Sequence, residues 1–176
     1  MLHILLFHLP NINVLVLGLI MNFIPQQQYD FILQNMPIAC VDVCIVSENG
    51  VLLVKRKTEP AKDQWWVPGG RVLKGEKLKD CANRKCMEEV NLHCTIGPIV
   101  HTDETVFDTG PSGISIHSIN CVFICFLQNK DFKIELDEFS SDWMWINEKQ
   151  DLSFLNTYVQ ECIKKSFIYI NTHKIL

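Results

Sequence analysis

This 176-residue chain has no run of basic side chains and no aromatic platform flanked by Arg and Lys, and its formal net charge is −4. The electrostatic footprint of a nucleic-acid binder is therefore missing. An anionic small molecule would have to be met by positive charge gathered locally. None of Cys40, Cys44, Cys81, Cys86, Cys94, Cys121, Cys125 and Cys162 forms a C-x-x-C pair, which argues against zinc. Most sit inside apolar runs such as ACVDVCIV and NCVFICF, where cysteine acts as a small hydrophobe, so they read as reduced core residues of a cytoplasmic protein. No internal repeat or second domain is visible, and the length suits one domain with a real core.

Residues 1–24 lack any charged side chain apart from histidines. A signal peptide would begin with positive charge and end at a small-residue cleavage site, and both are absent. A membrane helix would need about 20 predominantly apolar residues, and Pro10, Asn11 and Asn13 interrupt this stretch.

The informative stretch is Trp65–Leu92, WWVPGGRVLKGEKLKDCANRKCMEEVNL. An apolar run stops at Pro68, passes through Gly69 and Gly70, and resumes with helical period: a strand, a tight loop and a helix. Leu78, Ala82, Cys86 and Val90 recur every four residues as a core stripe. Lys85, Glu88 and Glu89 then share another face. Two adjacent carboxylates facing a glycine turn suit magnesium, which takes oxygen ligands and is usually completed by water and substrate phosphates. The turn itself would expose a backbone carbonyl and let phosphate oxygens approach. Taken alone, the same residues also describe an exposed helix face with an ion pair worth only about 0.2–0.5 kcal/mol.

Spacing makes the signal specific. Gly70, five residues, Glu76, seven residues, Arg84, then Glu88, Glu89 and Leu92 resemble the Nudix box, the metal-binding loop-helix-loop of the Nudix hydrolases. The resemblance implies an α/β (α+β) fold, a mixed β-sheet sandwiched between helices with the box helix on one side. It implies Gly69, through its carbonyl, with Glu88 and Glu89 as ligands of Mg2+, or of Mn2+ in its place. Arg84 enters the catalytic apparatus, bracing the loop against the helix together with Glu76.

Two positions depart from the box. Lys85 stands where a metal-ligating glutamate is usual, and a cation cannot ligate magnesium. Asn91 replaces a glycine near the helix end, a milder change because Asn is the next best residue in the left-handed conformation. EPAK, two residues, then WWVPGGRVLKGE (Glu59 to Glu76) is similar to the GDP-mannose mannosyl hydrolases, a Nudix branch whose box also lacks that glutamate. Pro37 with the run to Asp42, Lys55–Arg56, Phe107–Asp108, His117 and DEFSSDWMWI (Asp137 to Ile146) fall in the order this branch shows. The likeness begins near Met21, so residues 1–20 are expected to be an apolar extension outside a single domain of residues 21–176. No membrane attachment is expected unless that extension anchors the chain.

Further candidates surround the box. An acid within a buried strand is costly unless paired or facing a cleft, so Asp42 is either a site residue, facing the sugar as the resemblance implies, or a carboxylate bonded to a nearby Lys or Arg. Arg56 and Arg71 carry the planar fork that clamps a diphosphate. The resemblance makes His117, opening a strand, the general base, and His101 is its competitor. Residues 101–115 have loop composition and the length of a substrate lid. Ser47–Gly50 reads as a hairpin turn. Leu152, Leu155, Val159 and Ile163 mark a closing helix, and Trp143 and Trp145 share a strand face as core residues.

The leading expectation is magnesium-dependent hydrolysis of GDP-mannose or a similar nucleotide sugar to nucleoside diphosphate and free sugar, with water attacking the sugar carbon. Attack at phosphorus of a nucleoside diphosphate derivative is the alternative, and a silent Nudix fold that only binds is the third. A homodimer is common among such proteins.

Overall fold

The computed structural model describes residues 24–129 and 131–174, so the expected 1–20 extension lies outside the described residues. Helix α1 (Gln26–Asn35) leads into a hairpin of β1 (Ile38–Ser47) and β2 (Gly50–Arg56). Short strands β3 (Trp65–Trp66) and β4 (Gly69–Arg71) precede helix α2 (Leu78–Val90). Strands β5 (Cys94–Phe107) and β6 (Ile116–Leu127), then β7 (Ser140–Ile146) and helix α3 (Thr157–His173), complete the chain.

One mixed sheet runs β3-β2-β1-β6-β5, with β7 on β2 and β4 on β1. β1 is parallel to β6 and antiparallel to its other partners. Its apolar run, interrupted only by Asp42 before Ser47, follows from burial on both faces, the usual condition of a strand with a parallel neighbour. Val41, Val43 and Ile45 pack with Cys81, Ala82, Cys86 and Val90 of α2. Cys44 and Val46 pack on the other face with Val159, Cys162 and Ile163 of α3. The sheet is thus sandwiched between α2 and α3, as expected. All eight cysteines are unpaired.

Four details differ from the sequence reading. Leu78 is 38% exposed: at 3.6 residues per turn a step of four overshoots by about 40°, so three steps carry it off the face that Val90 buries, and Cys81 fills the stripe instead. Trp145 packs against Phe132, whereas Trp143 is 42% exposed. Residues 101–107 are not a lid but the second half of β5, paired with β6 as far as Phe107↔Ile116. Their polar side chains are those of a strand at the sheet edge, and the connection shrinks to residues 108–115, with one 3-10 turn at Pro111–Gly113. Finally, α3 begins after Leu152 and Leu155, because Asn156 caps it by accepting a hydrogen bond from the Tyr158 amide at 2.9 Å.

The hairpin turn forms as read. Gly50 has φ +120°, and a Cβ there would lie 2.1 Å from the Ile146 carbonyl oxygen. Replacing Asn156 with Ala removes the α3 cap and is expected to cost about 1 kcal/mol in chemical unfolding, with Asn156→Asp recovering most of it. An unchanged Asn156→Ala midpoint would show that the cap contributes nothing.

Candidate active site

The site forms where the sheet forks. One edge of β1 pairs with β4 at Cys40↔Arg71, Val41↔Gly70 and Asp42↔Gly69, then with β2 at Val46↔Val51. Between these stretches the sheet opens, and two cavities meet there, sharing Arg56 and Gly69 in their walls. The inner one, about 250 Å³, lies on the α3 face and is lined by Asp42, Arg71, Trp66, Phe107, Ser118, Asn120 and Tyr29 among others. The outer chamber, about 570 Å³, lies on the α2 face and holds Lys85, Glu88, Glu89, Asp137 and Glu138.

Glu76 and Arg84 brace the loop as expected. The Arg84 guanidinium donates from Nε to Glu76 Oε1 at 2.7 Å and from Nη2 to Oε2 at 2.8 Å. Its Nη2 also reaches the Arg71 carbonyl at 3.2 Å, and Glu76 accepts the Leu73 amide at 3.0 Å. A planar fork on a carboxylate fixes both distance and orientation. The Arg84 bond, with the Leu73 amide adding to it, lowers the Glu76 carboxyl to about 2 against the pull of partial burial. Asn91 takes the left-handed conformation at φ 54°, so its replacement of glycine leaves the helix end intact. Arg84 touches the loop and Glu88, the latter at 2.9 Å.

The glutamates face the turn. Glu89 Oε2 accepts the Gly69 amide at 3.2 Å. Since both backbone groups of an extended residue point to the same edge, the Gly69 carbonyl is also turned from β1 toward α2. Burial pushes the Glu89 carboxyl up to about 7, against the pull of Lys85 and the Gly69 amide, and Asp137 adds to the rise. Lys85 Nζ lies 3.2 Å from Glu88 and 3.3 Å from Glu89. Burial draws its pKa down, but the two glutamates outweigh this and hold it above its ordinary value. Among the described residues no three His, Cys, Asp or Glu side chains are grouped to hold an ion by themselves. Glu88 and Glu89 line the outer chamber together with Gly69, and these are the groups that could hold a divalent ion there if water and phosphate completed its shell; a buried carboxylate with a raised pKa is one that a cation would relieve.

Asp42 stands at the fork, buried, and accepts a short hydrogen bond from the Tyr158 hydroxyl of α3. Of the two readings of this acid, cleft or basic partner, the structure shows a cleft wall and a tyrosine. Burial raises its carboxyl to about 6, against the Tyr158 bond and the charges of Arg56 and Lys85. Its Oδ1 would lie 2.0 Å from a Cβ at residue 69, so only glycine fits opposite it. Arg56 is anchored by its Nε on the Pro60 carbonyl at 2.7 Å, and Arg71 stacks over Tyr29 at 4.8 Å. Both arginines line the inner cavity.

The two histidines are not brought to this group. Ile116 and Ser118 line the inner cavity, and strand alternation turns His117 to the opposite face, where its Nε2 lies 2.9 Å from Glu104. His101 Nε2 is buried without a hydrogen bond, 3.4 Å from Asp103. Asp137 and Glu138, not among the residues expected at the site, line the outer chamber. The Asp137 amide donates to the Glu89 carbonyl at 3.1 Å, which sets this acidic pair beside the end of α2. The only signal for it was an acidic pair ahead of the last strand.

A family model described as NUDIX domain matches residues 36–157. The low-salt glycan biosynthesis protein Agl8 of Haloferax volcanii is 42% identical over 86 residues, 49% of this chain and 55% of that protein, so the match spans about half of its length. An ADP-ribose pyrophosphatase of Methanocaldococcus jannaschii is 30% identical over 118 residues, 67% of this chain and 68% of that one. The crystal structure of a MutT NUDIX hydrolase from Burkholderia pseudomallei superposes with a TM-score of 0.63 at 18% identity, covering 74% of this chain and 98% of that one. With the box loop, its helix and the forked sheet all in place, the chain belongs to the Nudix family.

Proposed function

We propose that the chain is a magnesium-dependent hydrolase of a nucleotide sugar or similar nucleoside diphosphate derivative, with water attacking phosphorus. The observation that supports this is the meeting of two unlike cavities at Gly69 and Arg56. A base or sugar suits the inner recess, with its aromatic walls and its hydroxyl and amide groups. A diphosphate suits the joint, within reach of the arginines of the inner wall. The outer chamber gathers the carboxylates, and Gly69, Glu88 and Glu89 are the residues to hold Mg2+, or Mn2+ in its place. A bound ion would neutralise phosphate charge and lower the pKa of a coordinated water. Asp137 and Glu138, in the same chamber, are acids able to accept a proton from water. A glycan biosynthesis protein and an ADP-ribose pyrophosphatase among the relatives support a sugar-bearing diphosphate. Unpaired cysteines accord with action in the cytoplasm, and a homodimer completes the proposal.

A second reading keeps attack at the sugar carbon, giving nucleoside diphosphate and free sugar from a substrate such as GDP-mannose. Asp42 favours it: this buried acid with a raised pKa faces the recess in which the sugar would sit, a position His117 does not share.

Incubation of GDP-mannose and ADP-ribose with Mg2+ in labelled water separates the two. Nucleoside monophosphate and sugar phosphate, with the label in a phosphate, are expected; nucleoside diphosphate and free sugar would sink attack at phosphorus. Glu89→Gln is expected to lower turnover at least roughly a hundredfold, beyond the loss typical of an outer-shell partner, with its unfolding transition retained. Turnover equal to the parent would remove Glu89 from the metal site.

Asp42 also sets a pH dependence of stability. Its folded carboxyl, at about 6, lies above the ordinary aspartate value of 3.8, so the stability it contributes is fully present below pH ~4 and is lost as pH rises through ~6. Asp42→Asn, which escapes ionisation, is expected to exceed the parent by about 2–3 kcal/mol above pH 6. In unfolding curves taken from pH 4 to pH 8, that gap should close toward pH 4; a gap that stays constant would contradict the assignment.

A further inference from the structure

We propose that the Lys85 ammonium is a tethered cation occupying a seat that would otherwise take a divalent ion, so that the outer chamber accepts at most one free ion and holds it weakly. The inference rests on the metal reading of this chamber given above and deepens it.

Three observations carry it. Lys85 Nζ lies 3.2 Å from Glu88 Oε2 and 3.3 Å from Glu89 Oε1, bridging the two carboxylates offered as ligands. On its other side a Cβ at Gly70 would lie 3.1 Å from Lys85 Cε and 3.3 Å from Nζ, so the ammonium is wedged between the glutamates and the glycine turn. The side chain is only 17% exposed, unlike the solvated partner of an ordinary surface pair. Both oxygens of Glu89 and one of Glu88 are already engaged: Glu88 Oε2 also accepts from Arg84 at 2.9 Å, and Glu89 Oε2 accepts from the Gly69 amide at 3.2 Å. An ion bound by both glutamates must share Glu89 with a positive charge that cannot diffuse away. A covalently attached competitor acts at the high effective concentration of its tether, and its charge opposes a second cation at short range.

The chamber therefore carries part of its positive charge in its own sequence. The charge that would face a diphosphate is one ammonium plus one divalent ion in place of two ions. A lysine on an ordinary helix face would compete with no ion, so removing it would leave metal binding unchanged.

Mn2+ binding to the full chain, followed by electron paramagnetic resonance and isothermal titration without substrate, tests this directly. The parent is expected to take one Mn2+ weakly. Lys85→Met is expected to tighten that binding at least roughly tenfold, a modest share of what one unit charge a few ångströms away commands in a partly screened site. Lys85→Glu is expected to add a second ion. Lys85→Gln serves in place of the Met variant should the latter fail to fold, as judged by thermal unfolding. A parent that binds Mn2+ while the Met or Gln variant binds it no better overturns the lysine inference and leaves the metal reading standing. A parent that binds none while Lys85→Met does bind upholds the inference and overturns the metal reading of the natural site. Binding by none of these chains overturns both.

Discussion

Strand β1 has one edge for two partners, and the rest of the site depends on how that edge is divided. The register with β4 occupies Cys40 to Asp42 and the register with β2 begins at Val46, so the backbone between them faces a gap. The Val43 amide is satisfied there by the Pro68 carbonyl at 2.8 Å, which keeps the opening from leaving a buried donor unpaired. Gly69 lies at this junction because Asp42 occupies the space a side chain would need. Asp42 in turn is tolerated in a buried strand because Tyr158 donates to it and Arg56 and Lys85 lend it positive charge.

Electrostatics on the α2 face follow from the same compactness. Two cations there each have two acidic partners: Arg84 joins Glu76 to Glu88, and Lys85 joins Glu88 to Glu89. The first link fixes the loop to the helix with a fork-shaped contact. The second holds two like charges together where burial would otherwise set them at odds, and it leaves Glu89 with a raised pKa despite the lysine. Around this shared charge the frame is local: Asn91 in the left-handed conformation ends the helix, and Arg84 ties the loop to it through Glu76.

Much of this frame was legible because it is local. The run Trp65–Leu92 encodes its own strand, turn and helix, and residues three and four apart on a helix must be neighbours, which put Lys85, Glu88 and Glu89 together before any tertiary contact was known. What depended on long-range pairing was harder. The polar stretch after His101 looked like a loop because strand pairing with β6, not composition, makes it a strand. His117 was a question of parity: one residue either way turns a side chain to the other face, and no local signal fixes that register. Asp137 and Glu138 reach the chamber through backbone bonding to the end of α2, and Tyr158 reaches Asp42 across 116 residues of sequence. Helix α1, with Tyr29 in the wall of the inner cavity, spans only ten residues, shorter than the window over which a helical period is read.

Because the inner recess opens on the α3 face and the outer chamber on the α2 face, anything reaching both must thread the sheet itself. Gly69 and Arg56, the residues common to both walls, are where such a molecule would cross, so on the proposed reading the middle of the substrate, rather than either end, is the part that the backbone pairing of β1 constrains.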